Sequence, residues 1–313
     1  MVKIESNNAT EEKKKNINKD KLVRNLFILS FLAWPALHFL VLYFGVNFQS
    51  IAMAFQRSVP GTNIRYWTLE NFQRIIFEGF GGNDPLLWEA TINSLTFFAF
   101  SFFLLTPLNI IVGYFFYKEI WGYKVFRFIF YLPAVIPVTV LATLFRYIIA
   151  PESSGLLQTI LSLTGVTIPN LLGSTEYAMK TLLVYQFWTG FTGFLMTTNA
   201  MRRIPHEVVE SAQLDGITAI KEIIFILIPL IWPILATSLL LSVMSIFTSS
   251  GPILLFTQGN FGTYTISYWL FERVMTGTNM EYASAVGILF TMLGFPFLII
   301  TRWLTKKVED VEY

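Results

Sequence analysis

Two sets of residues in this chain are spaced to do chemistry, and neither is spaced for catalysis. The first lies in 204–233, IPHEVVESAQLDGITAIKEIIFILIPLIWP. Glu207, Glu210 and Asp215 sit there among the small residues Ser211, Ala212 and Gly216. Acids on a short helix accept hydrogen bonds or pair with a basic group, and small residues let another backbone come close, so this is docking chemistry. The second set is Tyr185, Gln186, Trp188, Thr189 and Thr192, joined by Ser245 and Ser249. Hydroxyls and an amide beside aromatic rings suit a sugar, whose C–H face stacks while its hydroxyls hydrogen-bond. Polar groups inside a span tend to face a cavity or a neighbouring helix. Ser and Thr also commonly hold membrane helices together, so each of these residues carries that plainer reading as well.

The catalytic patterns are missing. A P-loop needs Gly-Lys-Ser/Thr after a glycine-rich turn, so that backbone amides and the Lys cradle phosphates. No Gly-Lys pair occurs, nor His-Glu-x-x-His, nor a Ser framed as Gly-x-Ser-x-Gly. The chain is therefore not its own ATPase and not an enzyme of those classes. With no cysteine there is no thiol nucleophile, disulfide or cysteine metal site, and no metal site is expected.

The elements that position the first set are legible. Pro205 is pre-set for a helix start, and Glu207 and Glu210 follow near the positive end of the helix dipole. Val208, Val209 and Ala212 give a short apolar stripe. Asp215-Gly216 then stops the helix, because Gly takes the left-handed cap conformation without steric cost. A second helical run starts at about 217 and leads into an uncharged segment.

The 313 residues are 54% hydrophobic and 13% charged, where soluble domains carry about 25% charge. That composition predicts an all-α polytopic membrane protein. A net charge of +2 gives no reason to expect nucleic acid as a partner. Residues 1–24 are polar and lysine-rich, and an uncharged run follows. That run exceeds the roughly 7–15 apolar residues of a signal peptide, which predicts an uncleaved first span behind a disordered tail.

A spanning helix needs about 20 apolar residues. Six stretches qualify: 26–48, 90–117, 125–149, 179–200, 223–247 and 283–304, with a re-entrant or interfacial piece near 266–275. The expected organisation is a basic tail (1–24), a first span plus external loop (25–84), a permease-like membrane domain (85–307) holding the loop 204–222, and a short tail (308–313). Lys and Arg favour cytoplasmic loops. With the N-terminus inside, sixteen of the 22 Lys and Arg fall on the cytoplasmic side. Both termini and the 204–222 loop are then cytoplasmic.

The loop resembles the EAA loop of importer-type ABC permeases. Glu210-Ser211-Ala212 stands for Glu-Ala-Ala, Gly216 keeps its offset, and Ile226-Leu227-Ile228-Pro229 closes the pattern. Ser211 replaces the first Ala and Ile228 the final Leu. The Ile204-Pro205 and Leu214-Asp215-Gly216 pieces are similar to the sugar-importing branch. Further similarities keep the family order. They are Phe126-Arg127 before Tyr131-Leu132-Pro133, Trp188 ahead of Asn199-Ala200, Ser250-Gly251-Pro252 with Thr257, and Tyr282-Ala283-Ser284-Ala285. Ser250 and Glu281 stand where the family has Gly. The resemblance covers about 85–307.

The resemblance implies a type I ABC importer permease fold with a cytoplasmic coupling helix in the cell (inner) membrane. It implies coupling roles for Glu207, Glu210, Ser211, Ala212, Asp215 and Gly216, and a sugar or oligosaccharide path near Tyr185, Gln186, Trp188, Thr189, Thr192, Ser245 and Ser249. Implied partners are a second homologous permease, an ATP-binding ATPase dimer, an extracellular solute-binding protein and membrane lipid. ATP and Mg would sit on the ATPase and no cofactor on this chain. A secondary transporter, or a scaffold subunit without transport, is the alternative. The uncharged character of most spans argues against proton coupling.

Overall fold

The computed structural model describes residues 21–59, 61, 64–79, 84–151, 155–246 and 251–306. They fall into two compact units, one up to Thr68 and one from Leu69. The first unit opens with one long helix, α1 (Lys21–Ala54), apolar enough to cross a membrane. After it β1 (Gln56–Ser58) pairs antiparallel with β2 (Arg65–Trp67), Gln56 opposite Trp67. α1 runs past both ends of the expected span 26–48.

The second unit opens with α2 (Glu70–Arg74) and a wide turn, Ile75–Gly79. α3 (Pro85–Tyr117) is a candidate span. It begins a turn before the expected 90 because Asp84 caps it, accepting from the Leu87 N–H at 3.3 Å, with Pro85 in the first turn. A proline there costs no hydrogen bond. The other helix of spanning length in this unit is α14 (Met280–Lys306).

Two of the expected spans are bent. α4 (Tyr123–Val135) and α5 (Val138–Ile149) meet at 110°. Tolerated prolines inside one span were expected here. Pro133 is indeed carried inside α4, but Ile136 is extended (φ −80°, ψ 133°). A residue before proline is pushed out of the helical region by the proline ring, and Pro137 imposes that on Ile136. α10 (Ala219–Leu230) and α11 (Trp232–Ser245) meet at 81°. Pro233 has no N–H to donate to the Pro229 carbonyl, so the ladder fails there. The chain turns at Ile231 (φ −93°, ψ 7°).

The stretch expected to span at 179–200 is α7 (Ala178–Thr189), a 3₁₀ turn Gly190–Gly193 and α8 (Phe194–Met201). By length and apolarity the described residues contain three spanning helices, or five if each bent pair is one span. The expected six is not reached on that measure. Short helices α6 (Leu156–Ser162), α9 (His206–Leu214), α12 (Gly251–Phe256) and α13 (Ile266–Thr276) fill the connections. α13 is the piece expected near 266–275.

α3 packs on α8 and α11 on α14. The first contact is close because Gly113 faces Thr197, whose Oγ1 a Cβ at 113 would overlap. Polar bonds pin the same seam. Thr197 donates to the Asn109 carbonyl at 3.0 Å and Thr198 to the Gly113 carbonyl at 3.2 Å. Asn109 Nδ2 donates to the Gly190 carbonyl at 3.0 Å. Small residues and hydroxyls are how helices bind each other where water gives no hydrophobic drive.

Candidate functional site

The 204–222 segment folds as a short projecting helix on an apolar root. α9 starts after Pro205 and ends where Asp215 leaves the helical region. Gly216 follows in the left-handed conformation at φ +77°. The Gly216 N–H donates to the Gln213 carbonyl at 3.0 Å and the Ile217 N–H to the Ala212 carbonyl at 3.3 Å. That pair of bonds is the Schellman stop, as the Asp-Gly dipeptide predicts. Ile204 and Val209 turn inward and join Tyr114, Met201, Leu227 and Ile231 in one buried cluster. Glu207, Glu210, Ser211, Asp215 and Gly216 face outward, and Ala212 is half-buried. Ser211 donates its own hydroxyl back to the Val208 carbonyl at 3.0 Å.

Two apolar residues are fully on show at the tip: Leu214 is 90% exposed and Ile220 70%. Neither belongs to the buried cluster that holds the root of the helix.

A buried ion pair at the root escaped the sequence reading. Glu222 is 3% exposed. Its Oε1 lies 2.7 Å from the Lys118 ammonium at the end of α3, and its Oε2 accepts from the Tyr114 hydroxyl at 3.2 Å. The Tyr114 and Tyr117 rings flank the same ammonium at 5.5 Å. Beside it Arg202 pairs with Glu119 at 2.9 Å. Lys118, Glu119, Arg202, His206 and Glu210 line a cleft of about 620 Å³ under α9. The signal was present: an acid heading an apolar run is costly unless paired, and Lys118 follows directly on the expected span 90–117.

The second set converges only in part. Tyr185, Gln186 and Thr189 of α7 and Ser245 of α11 line one cavity of about 490 Å³. Phe97 and Phe98 of α3 form another wall, and Pro133, Ile136 and Val138 border it at the α4–α5 bend. Sequence reasoning did not include Ser94, Ser101 or the bend itself. Trp188 is not on this cavity. It stacks on Phe145 at 6.0 Å and meets Tyr185 edge-on at 6.3 Å, behind the lining. Thr192 sits half-buried on the 3₁₀ turn, away from the lining. Ser249 lies outside the described residues. Two polar atoms of the lining side chains, the Tyr185 hydroxyl and Gln186 Oε1, are buried without a hydrogen-bond partner. Among the described residues no group of three or more His, Asp or Glu could hold a metal.

The chain is similar to known proteins. The arabinooligosaccharides transport system permease protein AraP of Halalkalibacterium halodurans is 23% identical over 294 residues, 92% of this chain and 89% of the relative. The trehalose/maltose transport system permease protein MalF of Thermococcus litoralis is 27% identical over 217 residues, 68% and 72% of the two chains. Among solved structures, a chain of a bacterial ABC transporter involved in the import of the acidic polysaccharide alginate superposes with a TM-score of 0.78. It is 20% identical, with 93% of this chain and 99% of that one covered. The model of the binding-protein-dependent transport system inner membrane components matches residues 105–310, a segment holding α9, its root and the cavity lining apart from Ser94, Phe97, Phe98 and Ser101, and the chain belongs to that family.

Proposed function

We propose that the chain is one of two permeases that together form the path for a sugar or oligosaccharide through an ATP-driven importer. Six spans carry it: α1, α3, the two bent pairs, α14, and the broken α7–α8 stretch as the sixth. Both termini and α9 face the cytoplasm. ATP and Mg are held by a partner ATPase dimer, and an extracellular solute-binding protein delivers the sugar. The curated relatives named for arabinooligosaccharides and for trehalose and maltose support the substrate class. A neighbouring structure holding an alginate pentasaccharide-bound periplasmic protein supports the delivery step.

The observation that carries the reading is the pairing of a docking tip with a rooted base. Leu214 and Ile220 are bare while Val209, a turn away, is 3% exposed in the core. A partner that closes on the tip pushes a helix that cannot yield at its root. Glu207, Glu210, Ser211, Ala212, Asp215 and Gly216 are the contact set, with Glu210 meeting a basic group or a free backbone N–H. The test is uptake of labelled sugar into vesicles holding the full assembly, with and without internal ATP. Uptake that needs ATP and ignores ionophores is expected. Uptake without ATP, collapsed by an ionophore, defeats the reading.

A further inference from the structure

The cavity beside α7 is lined by polar but uncharged side chains, and this bears on which saccharides it takes. The hydroxyl protons of Thr189 and Ser245 are already spent on the chain's own backbone. Thr189 donates to the Tyr185 carbonyl at 2.9 Å and Ser245 to the Ser242 carbonyl at 2.7 Å. Their oxygens remain as acceptors. Gln186 spends one amide proton on the Phe97 carbonyl at 3.4 Å, and its Oε1 is buried and unpartnered. Tyr185 is 4% exposed and its hydroxyl is unpartnered too. Ser94 already accepts the Ile266 N–H at 2.9 Å. Among the described residues, none that lines the cavity is charged.

A lining that offers acceptors together with the Tyr185 and Ser94 hydroxyls and the second Gln186 amide proton matches sugar hydroxyls, which both donate and accept. A carboxylate brings a charge, and burying it where no cation pairs with it leaves much of its desolvation uncompensated. Phe97, Phe98 and Pro133 supply the apolar surface for the C–H face of the ring. We propose that this cavity selects uncharged saccharides and rejects uronates, with Tyr185 and Gln186 as the residues that read the substrate's hydroxyls. The inference rests on the importer reading given above and narrows it.

The experiment uses the complete transporter in nanodiscs without its solute-binding protein, which would otherwise filter the ligands first. Equilibrium binding is followed by tryptophan fluorescence, since Trp188 lies against Tyr185. The probes are xylotriose, galactotriose, maltotriose and trigalacturonate. At least one neutral trisaccharide is expected to bind, with trigalacturonate at least about 100-fold weaker. Tyr185→Phe with Gln186→Leu should weaken the neutral ligand by about tenfold, and Gln186→Lys should shift preference toward trigalacturonate. Binding of trigalacturonate as tight as any neutral sugar overturns the charge selection while leaving the importer reading standing. Binding of none of the four overturns the saccharide reading itself. The ligand comparison is made on the unaltered protein, so it does not depend on any variant folding.

Discussion

Removing the Lys118 ammonium tests whether the α9 root is held electrostatically. Glu222 is almost fully buried, with a side chain 4% exposed against 25% for Lys118. Breaking a buried pair by deleting one partner costs about 3–5 kcal/mol, because the remaining charge is left uncompensated. The two ends are not equivalent. In Lys118→Met the stranded group is the buried carboxylate, which keeps only the Tyr114 hydroxyl at 3.2 Å. Its partner's end is part-hydrated, so the lower part of that range applies, about 3 kcal/mol. In Glu222→Gln the stranded group is an ammonium with access to water and to two tyrosine rings, and about 1 kcal/mol is expected. The double variant leaves no charge and should lose about 2 kcal/mol where the two singles sum to about 4, a coupling of about 2 kcal/mol. The assay is the fraction of purified transporter surviving a graded heat challenge for wild type, both singles and the double. Equal losses in the two singles, or strict additivity in the double, would refute the burial argument.

Three further perturbations follow from local geometry. Gly113→Ala places a Cβ on Thr197 Oγ1 and should cost about 1–3 kcal/mol by forcing α3 and α8 apart, read as lower heat tolerance. Gly216→Ala meets no atom within 4 Å but keeps φ +77°, so its cost should be the conformational 1–2 kcal/mol or so alone; hydrogen exchange at 212–217 should rise while α11 is unchanged. Leu214→Asp and Ile220→Asp replace groups that touch nothing in this chain's core. Both should leave permease heat tolerance within about 0.5 kcal/mol of wild type while co-purification of the ATPase falls.

The parts legible in the sequence are those fixed within a few residues. The Asp215-Gly216 stop and the start after Pro205 are local events, and both stand where the sequence puts them. Apolar run length likewise located α3 and α14. The bends were not legible in the same way. Pro133 and Pro137 look alike in sequence, yet the helix runs through the first and stops before the second, where Ile136 is extended. Tyr185, Gln186, Thr189 and Ser245 were legible as polar groups in apolar runs. That Trp188 and Thr192 leave this lining was not: Trp188 turns onto Phe145 within α7, and Thr192 falls on the 3₁₀ turn that begins at Gly190, where the helical phase is lost. The Lys118–Glu222 pair joins positions 104 apart in the chain, beyond the reach of any spacing rule.

In the proposed function, the α10–α11 bend would be the mechanical link between α9 and the cavity. Leu227 and Ile231 at the bend share one buried cluster with Val209 of α9 and Leu235 of α11, and Ser245 closes α11 at the cavity. Packed interiors shift between discrete arrangements and do not stretch, so a displacement of α9 reaches Ile231 through contact. A straight helix would carry that push along its own axis. An 81° corner converts it into a swing of α11, whose far end carries a cavity-lining hydroxyl. Restoring the missing N–H with Pro233→Ala should therefore straighten the corner and uncouple ATP hydrolysis from uptake, with sugar binding retained. If uptake per ATP is unchanged in that variant, the corner is not the transmitter. The coupling then runs through α3 and Lys118.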